Sequence, residues 1–177
     1  MTLFAITGTP GTGKTSVSEE LRSRGYSVID MNVHIREHGL LGELDAPRDT
    51  HEVDLDDLND SLQRYRDSDD LYLMDSHLSH FMDCSGIIVL RCRPEVLAAR
   101  LEARGYGCAK VLENVQSEVL DVILCEAIES DIPVYEIDCS EGNASVSADS
   151  VEKILKGETT DYMPGKTDWS GEMDRWF

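Results

Sequence analysis

Residues 8–15 read Gly-Thr-Pro-Gly-Thr-Gly-Lys-Thr and match the pattern G-x-x-x-x-G-K-[ST] at every fixed position. The apolar run Leu3–Thr7 precedes this stretch, and a segment with helical spacing follows it from Lys14 to Arg24. Glycines allow the backbone to curl so that its N–H groups point at a phosphate, and the N-terminus of the next helix adds a positive dipole. The sequence therefore predicts a phosphate-binding P-loop between a buried strand and a helix.

Three residues at the end of the loop have side chains suited to a nucleotide. Lys14 supplies a positive charge for the β- and γ-phosphates of ATP, and Thr15 places a hydroxyl where Mg²⁺ is held. Ser16 offers the next hydroxyl and backbone donor, on the side of the α-phosphate. We therefore expect ATP with Mg²⁺ as the cofactor.

Short apolar runs alternate with helical segments along the rest of the chain. The patterns predict strands at 26–29, 71–74, 86–90 and 134–137, and helices at about 33–38, 54–67, 94–103, 111–129 and 146–155. This alternation predicts an α/β fold with a central parallel sheet of about five strands and helices on both faces. In such sheets, ligands bind at the carboxyl ends of the strands.

Composition limits the organisation of the chain and the classes of partner. The 177 residues, 41% of them hydrophobic, suit one domain, which we place at residues 1–156. The tail, residues 157–177, contains both tryptophans, so we expect it to dock against this domain or a partner. A net charge of −19 argues against broad nucleic-acid binding and favours a basic protein partner. With no leader-like N-terminus and no membrane-length apolar run, we expect a cytoplasmic protein.

One absent motif and two further residues help to distinguish among the classes of P-loop protein. The chain lacks the N-K-x-D segment with which GTPases read guanine, so a small metabolite kinase fits better. Asp75 follows the apolar strand and is placed to hold the Mg²⁺ water shell across from Thr15. His77, two residues on, is suited to orient a water or polarise a phosphate. The alternatives are a strand-end turn former for Asp75 and a hydrogen-bonded loop residue for His77.

Five arginines fall at positions that the predicted topology brings to the edge of the site. Arg36 is on a short helix after the second strand, Arg91 and Arg93 end a strand, and Arg100 and Arg104 end the next helix. Guanidinium groups offer a rigid fork of donors to phosphate oxygens and stay charged. We expect Arg36, Arg91 and Arg100 to contact the substrate and Arg104 to act in catalysis. For each, the alternative is a solvated surface charge.

Several segments together resemble the adenylate kinase isoenzyme 6 family, the small archaeal and eukaryotic-nuclear branch of the adenylate kinases. The similarity covers about residues 3–155. The segments are the loop 8–16, Asp75-Ser76-His77, Arg-Leu-Glu-Ala-Arg-Gly-Tyr at 100–106, Lys110, Glu113-Asn114-Val115, Glu118 and Glu126-Ala127.

This resemblance implies roles for particular parts of the chain. ATP would be bound by Gly11, Gly13, Lys14, Thr15 and Ser16. Residues of about 30–53 would form a short monophosphate-binding insertion with Arg36 as its phosphate contact. Residues of about 104–114 would form a short lid from which Arg104 reaches ATP. The first insertion is not a close match, so the selected base stays open.

The resemblance also implies an activity and a partner. The family phosphorylates AMP, and members act on other monophosphates or hydrolyse ATP. It is linked to maturation of the small ribosomal subunit through a basic ribosomal protein of the uS11 type, which suits the −19 charge. Three hypotheses follow: an ATP-dependent nucleoside monophosphate kinase, an ATPase assembly factor for a basic ribosomal protein, and a kinase of another small metabolite such as shikimate.

Overall fold

The computed structural model describes residues 2–45 and 50–177. Its strands are β1 (Leu3–Thr7), β2 (Ser27–Asp30), β3 (Leu44–Asp45), β4 (Thr50–His51), β5 (Tyr72–Asp75), β6 (Gly86–Arg91) and β7 (Val134–Asp138). Its helices are α1 (Lys14–Ser23), α2 (Met31–Glu37), α3 (Leu55–Ser61), α4 (Gln63–Arg66), α5 (Pro94–Ala103), α6 (Cys108–Val119), α7 (Val122–Ile128), α8 (Ala144–Leu155) and α9 (Met173–Trp176). Short 3₁₀ turns occur at Ser79–Phe81, Thr160–Tyr162 and Ser170–Glu172.

Five strands form one parallel sheet in the order β2-β5-β1-β6-β7, with β1 at its centre. In register, Ile6 and Asp30 both lie opposite Asp75, so β1, β2 and β5 end at the same edge. All six residues of β6 are buried, as expected for a strand covered by helices on both faces. These observations confirm the predicted α/β fold and put the P-loop at the carboxyl edge of the sheet.

Apolar side chains fill separate clusters around this sheet. One contains Leu3, Ala5 and residues of the insertion and α7, and the cluster on the opposite face joins Ile6 to residues of α1 and α8. This division follows from the alternation of side chains along β1. A third cluster, including Leu101 and Val115, packs α5 against α6.

Two predicted helices are interrupted in the structure. The segment predicted as one helix over 111–129 is α6 followed by α7, because Asp121 takes a left-handed conformation with φ 55°. The carboxylate of Asp121 accepts a hydrogen bond from the buried Arg91, a contact that offsets the conformational cost. Residues 54–67 likewise divide into α3 and α4 at the buried Leu62.

The predicted monophosphate-binding insertion, residues 30–53, contains α2 and the antiparallel pair β3–β4. Its residues 46–49 lie outside the described part of the chain. Across residues 2–45 and 50–177, no helix has the length and apolar character needed to cross a membrane. The cytoplasmic location stays a prediction.

The tail lies along the outside of α6 and β7. Gln116 Nε2 donates to the carbonyl of Trp176 at 2.8 Å, and Trp176 packs on the cluster between α5 and α6. Arg175 forms an ion pair of 3.0 Å with Glu95. In this structure, the tail is therefore packed against the domain that precedes it.

Candidate functional site

The P-loop turns sharply between β1 and α1. Gly8, Gly11 and Gly13 have φ angles of 140°, 97° and 116°, which side chains rarely allow. Thr12 closes the turn because its backbone N–H and its hydroxyl both donate to the carbonyl of Thr9, at 3.2 and 2.9 Å. The helix α1 then begins at Lys14, directly after the loop. The local sequence thus forms the cradle that its pattern predicts.

Lys14 folds back over the loop. Its Nζ donates to the carbonyls of Gly8 and Thr9 at 2.6 and 3.1 Å. Burial lowers the pKa of Lys14 to about 8, and the negative charges of Asp75 and Glu118 only partly oppose this effect. The amine is therefore held at the loop with its positive charge incompletely compensated, an arrangement that favours an arriving phosphate.

One cavity of about 330 Å³ opens at the carboxyl ends of β1, β2 and β5. The predicted residues Lys14, Thr15, Asp75, His77 and Arg104 all line it. Tyr106 and Lys110, from the predicted lid, also line it. The structure thus gathers the charged and hydrogen-bonding residues predicted for phosphoryl chemistry in one place.

Burial shifts the acid–base behaviour of two residues in this cavity. It raises the pKa of Asp75, while Lys14 opposes the shift. It lowers the pKa of His77, and the nearby Lys14 lowers it further. At neutral pH, His77 is therefore an uncharged imidazole able to accept a proton or orient a water.

Asp30 and Asn32 also line the cavity, although sequence analysis did not single them out. Asp30 ends β2 opposite Asp75, and its carboxylate caps α2 by accepting from the N–H of Val33 at 3.1 Å. The rule that ligands meet the carboxyl ends of parallel strands would have identified Asp30 from its place after the second strand.

A second cavity, of about 250 Å³, lies on the other side of the loop. Gly11, Gly13 and Arg104 line both cavities, and Ser16 and Arg100 line the second. The segment after β7 also lines it, with Cys139, Gly142, Asn143, Ala144 and Ser147. This segment was not predicted from the sequence, although its position directly after the last strand could have indicated it. The two cavities form a cleft with the P-loop between them.

Thr15 and Asp75 present the types of oxygen that Mg²⁺ prefers, a hydroxyl and a carboxylate, in one cavity. Within residues 2–45 and 50–177, no group of three or more His, Cys, Asp or Glu side chains is arranged to hold a metal by itself. This donor set suits an ion that takes the rest of its ligands from water and from nucleotide phosphates.

The predicted arginines have different surroundings. The Arg100 guanidinium donates to the carbonyls of Thr12 and Cys139, at 3.1 and 2.8 Å, and so braces the P-loop against the segment after β7. Arg104 is exposed at the end of α5, where it borders both cavities. Arg36 is exposed on α2 and is not among the residues that line either cavity.

The structure corrects the expectation that Arg91 contacts the substrate. Its side chain is 1% exposed, and its guanidinium donates to the carboxylates of Glu118, Glu136 and Asp121. Those partners lie far from Arg91 in sequence, so the strand-end position alone indicated the wrong surroundings. Arg93 is half-exposed, lines neither cavity and lies near the carboxylates of Glu95 and Glu141.

The lowered pKa of Lys14 predicts how nucleotide affinity depends on pH. Below about pH 8 the amine is already charged, whereas above pH 8 it must take up a proton to meet the phosphates. We expect the affinity for ATP to fall about tenfold per pH unit above pH 8. Calorimetry at pH 9 in buffers of different ionisation enthalpy should detect uptake of nearly one proton.

Lys14→Arg is the matched control for this titration, because a guanidinium stays charged throughout the range. Proton uptake on ATP binding should disappear in that protein. Equal uptake by both proteins would assign the proton to another group.

This chain is similar in sequence or in structure to several known proteins. The profile of a family described as an AAA domain matches residues 5–121. A protein of Methanocaldococcus jannaschii described as "Putative adenylate kinase" is 40% identical over 168 residues, covering 94% of this chain and 92% of the relative. One of Natronomonas pharaonis with the same description is 42% identical over 156 residues, covering 87% and 90%. A shikimate kinase from Acinetobacter baumannii, solved with shikimate, superposes with a TM-score of 0.64 over 90% of this chain and 96% of that one. At 14% identity, it shows a shared fold only.

Proposed function

Because this chain belongs to the AAA-domain family and to the family of the archaeal adenylate kinase relatives, we propose that it is a nucleoside monophosphate kinase that transfers a phosphoryl group from ATP to AMP. The observation that carries the proposal is the two-part cleft, in which Arg104 and the glycines of the P-loop border both cavities. Such a cleft suits a nucleotide whose phosphates lie along the loop and a second substrate that meets the last phosphate.

The base of ATP fits the cavity beside Gly142, Asn143 and Ala144, where side chains are small or polar. Its phosphates would then follow the P-loop towards Lys14. The acceptor would enter the other cavity, beside Asp30, Asn32 and His77. In this arrangement the two substrates meet at the loop with their phosphates facing each other.

The proposed reaction needs no protein nucleophile. An oxygen of the acceptor phosphate attacks the γ-phosphorus in line, the bond to the β,γ-bridging oxygen breaks, and ADP leaves with that electron pair. Lys14 and Arg104 neutralise the charge that the transferring group carries, and the cleft holds the two substrates in line.

The remaining assignments concern the metal, the insertion and the lid. Thr15 and Asp75 would hold Mg²⁺, Asp75 partly through water, and the ion would supply further charge neutralisation at the phosphates. The insertion 30–53 would receive the monophosphate, with Arg36 closing on it from α2. Residues 104–114 would act as a lid through Tyr106 and Lys110.

A panel of acceptors tests this proposal. ATP consumption and product formation are measured with AMP, the other nucleoside monophosphates, shikimate, and no acceptor. We expect AMP to be converted to ADP with a 1:1 loss of ATP, at a rate at least tenfold above that with shikimate. Phosphorylation of shikimate without turnover of any monophosphate would contradict it and favour the metabolite-kinase hypothesis.

A second candidate function is an ATPase that acts in small-subunit maturation with a basic ribosomal protein of the uS11 type. Two observations favour it: the net charge of −19, which attracts a basic partner, and the uncharged His77 beside Lys14, which suits the orientation of a water. The same panel, run with a purified basic ribosomal protein, separates the two functions. Strong stimulation of ATP loss by that protein, and none by AMP, would favour the ATPase.

A further inference from the structure

A buried chain of polar contacts starts inside the P-loop, at Thr9. This residue is 2% exposed, and its hydroxyl donates to Oε2 of Glu118 at 2.5 Å. The other oxygen of Glu118 accepts from Nε of Arg91 at 2.8 Å and from the backbone N–H of Cys92 at 3.0 Å. Glu118 therefore joins the loop to the end of β6 from its place on α6.

Arg91 extends this network of polar contacts across the interior of the domain. Besides Glu118, its guanidinium binds Asp121 and, at 2.6 Å, Oε1 of Glu136. Glu118 and Glu136 have side chains 3% and 1% exposed, so one buried cation faces two buried carboxylates and a third that is partly exposed. Buried carboxylates that outnumber the buried cation need additional hydrogen-bond donors, and the network of polar contacts provides such donors at both of its ends.

The donors at the far end come from the tail. Oε2 of Glu136 accepts from the consecutive backbone N–H groups of Gly165, Lys166 and Thr167, at 3.0, 3.3 and 3.5 Å. Three successive amides around one carboxylate oxygen form an anion-binding nest, with Gly165 at φ 93°. The tail thus completes the hydrogen bonding of a carboxylate that lies inside the domain.

The helix α6 connects the same parts by a second route. Its Lys110 lines the cleft, and its Gln116 donates a hydrogen bond to the carbonyl of Trp176. Its Glu118 accepts a hydrogen bond from Thr9 of the P-loop. A displacement of the tail would therefore act on the P-loop through Glu136 and Arg91, and on the cleft wall through α6.

From these contacts we infer that Glu118 and Glu136 are positioning residues that couple docking of the C-terminal tail to nucleotide binding at the P-loop. Neither carboxylate lines the two cavities of the cleft; they act through Thr9 and through the backbone of Gly165–Thr167. Since coupling between two sites is reciprocal, a nucleotide must strengthen tail docking as much as the docked tail strengthens nucleotide binding. The inference rests on nucleotide binding at the P-loop and is independent of the acceptor.

The chain contains its own probe, because Trp169 and Trp176 are its two tryptophans and both lie in the tail. Tryptophan emission and hydrogen exchange of residues 165–177 are measured in the full-length protein with and without the non-hydrolysable analogue AMP-PNP and Mg²⁺. Calorimetry gives the Kd of the analogue. In the wild type we expect AMP-PNP to slow exchange in the tail and to change the emission.

Glu136→Gln tests the connection from inside the domain. The side-chain amide of glutamine has one accepting oxygen, so it cannot accept both from Arg91 and from the three tail amides. The bond from the charged Arg91 guanidinium is the stronger one, so the oxygen stays with Arg91 and the bonds to the tail are lost. Arg91 keeps Glu118 and Asp121 as partners, so no unpaired buried charge results. We expect red-shifted emission, faster tail exchange and a Kd for AMP-PNP about fivefold higher or more. Glu141→Gln is the matched control, because the Glu141 side chain is 90% exposed and its carboxylate lies 3.7 Å from the half-exposed Arg93.

Lys166→Pro tests the connection from the tail without altering the core. Proline removes one of the three donors and restrains the preceding Gly165, while Lys166→Ala removes the same side chain and keeps the amide. We expect Lys166→Pro to reproduce both effects of Glu136→Gln, and Lys166→Ala to reproduce neither. If Glu136→Gln does not fold, the comparison of Lys166→Pro with Lys166→Ala still tests whether tail docking is coupled to nucleotide binding.

Two results would overturn the inference. If the tail undocks in these proteins while the Kd for AMP-PNP stays within 1.5-fold of wild type, the network is structural only. If the tail stays docked in Lys166→Pro, the nest around Glu136 is not its anchor. A protein that binds AMP-PNP with these couplings but fails to phosphorylate AMP would refute the proposed function and leave this inference standing.

Discussion

Lys14→Ala is expected to lower phosphoryl transfer from ATP to AMP by about 10³-fold or more, because it removes a positive charge held beside the transferring group. The Lys14 Nζ lies on the P-loop carbonyls of Gly8 and Thr9, where its partial burial strengthens its effect on a phosphate. A coupled assay for ADP at saturating AMP measures the loss. We expect most of it in kcat, since the charge matters most when the phosphoryl group is in transit.

Lys153→Ala is the matched control, because Lys153 is an exposed lysine near the end of α8. Its activity should equal that of the wild type. If Lys14→Ala retained more than a tenth of the wild-type rate, the P-loop would not be the site of transfer, and the proposed function would have to be abandoned.

Gly8→Ala is expected to lower the free energy of unfolding by about 4 kcal/mol and to abolish ATP binding. A methyl group at Gly8 would lie 2.4 Å from the carbonyl oxygen of Leu90 and 3.0 Å from the hydroxyl of Thr12. Leu90 belongs to the buried strand β6, so its backbone cannot move aside without disturbing the sheet. The φ of 140° adds conformational strain to this collision.

Gly25→Ala separates the strain from the collision. Gly25 has a φ of 94°, but a methyl group there would meet nothing within 4 Å. We expect this change to cost about 1 kcal/mol, the penalty for a left-handed alanine. Urea unfolding of both proteins gives the comparison. Equal losses in the two proteins would show that the approach of Gly8 to Leu90 does not restrict this position.

The features predicted from sequence are those that depend on neighbouring residues. The P-loop requires glycines with positive φ angles, followed directly by a helix, and residues 8–15 contain both the glycines and the start of the helix. Asp75 and His77 were predicted in the same way, since a short apolar run closed by polar residues marks the end of a buried strand. The alternation of such runs with helices was enough to predict a parallel sheet and the edge at which these residues meet.

The features that sequence analysis missed depend on residues far apart in the chain. Glu118 is 109 positions from Thr9, and Glu136 is 45 positions from Arg91, so no local pattern records either pair. The helical spacing over 111–129 was also real, but it could not show that the Arg91 guanidinium would hold Asp121 in a left-handed conformation.

For this protein, the sequence by itself determined the phosphate cradle, the parallel sheet and the residues at the ends of its strands, because backbone geometry and the burial of alternate side chains are local properties. Only the tertiary structure decided that Arg91 lies inside the domain and that the segment after β7 forms half of the cleft. It also decided that the tail completes the bonding of Glu136. The physical reason is that a buried charge is stable only where its partners converge, and that place is set by how whole strands and helices pack.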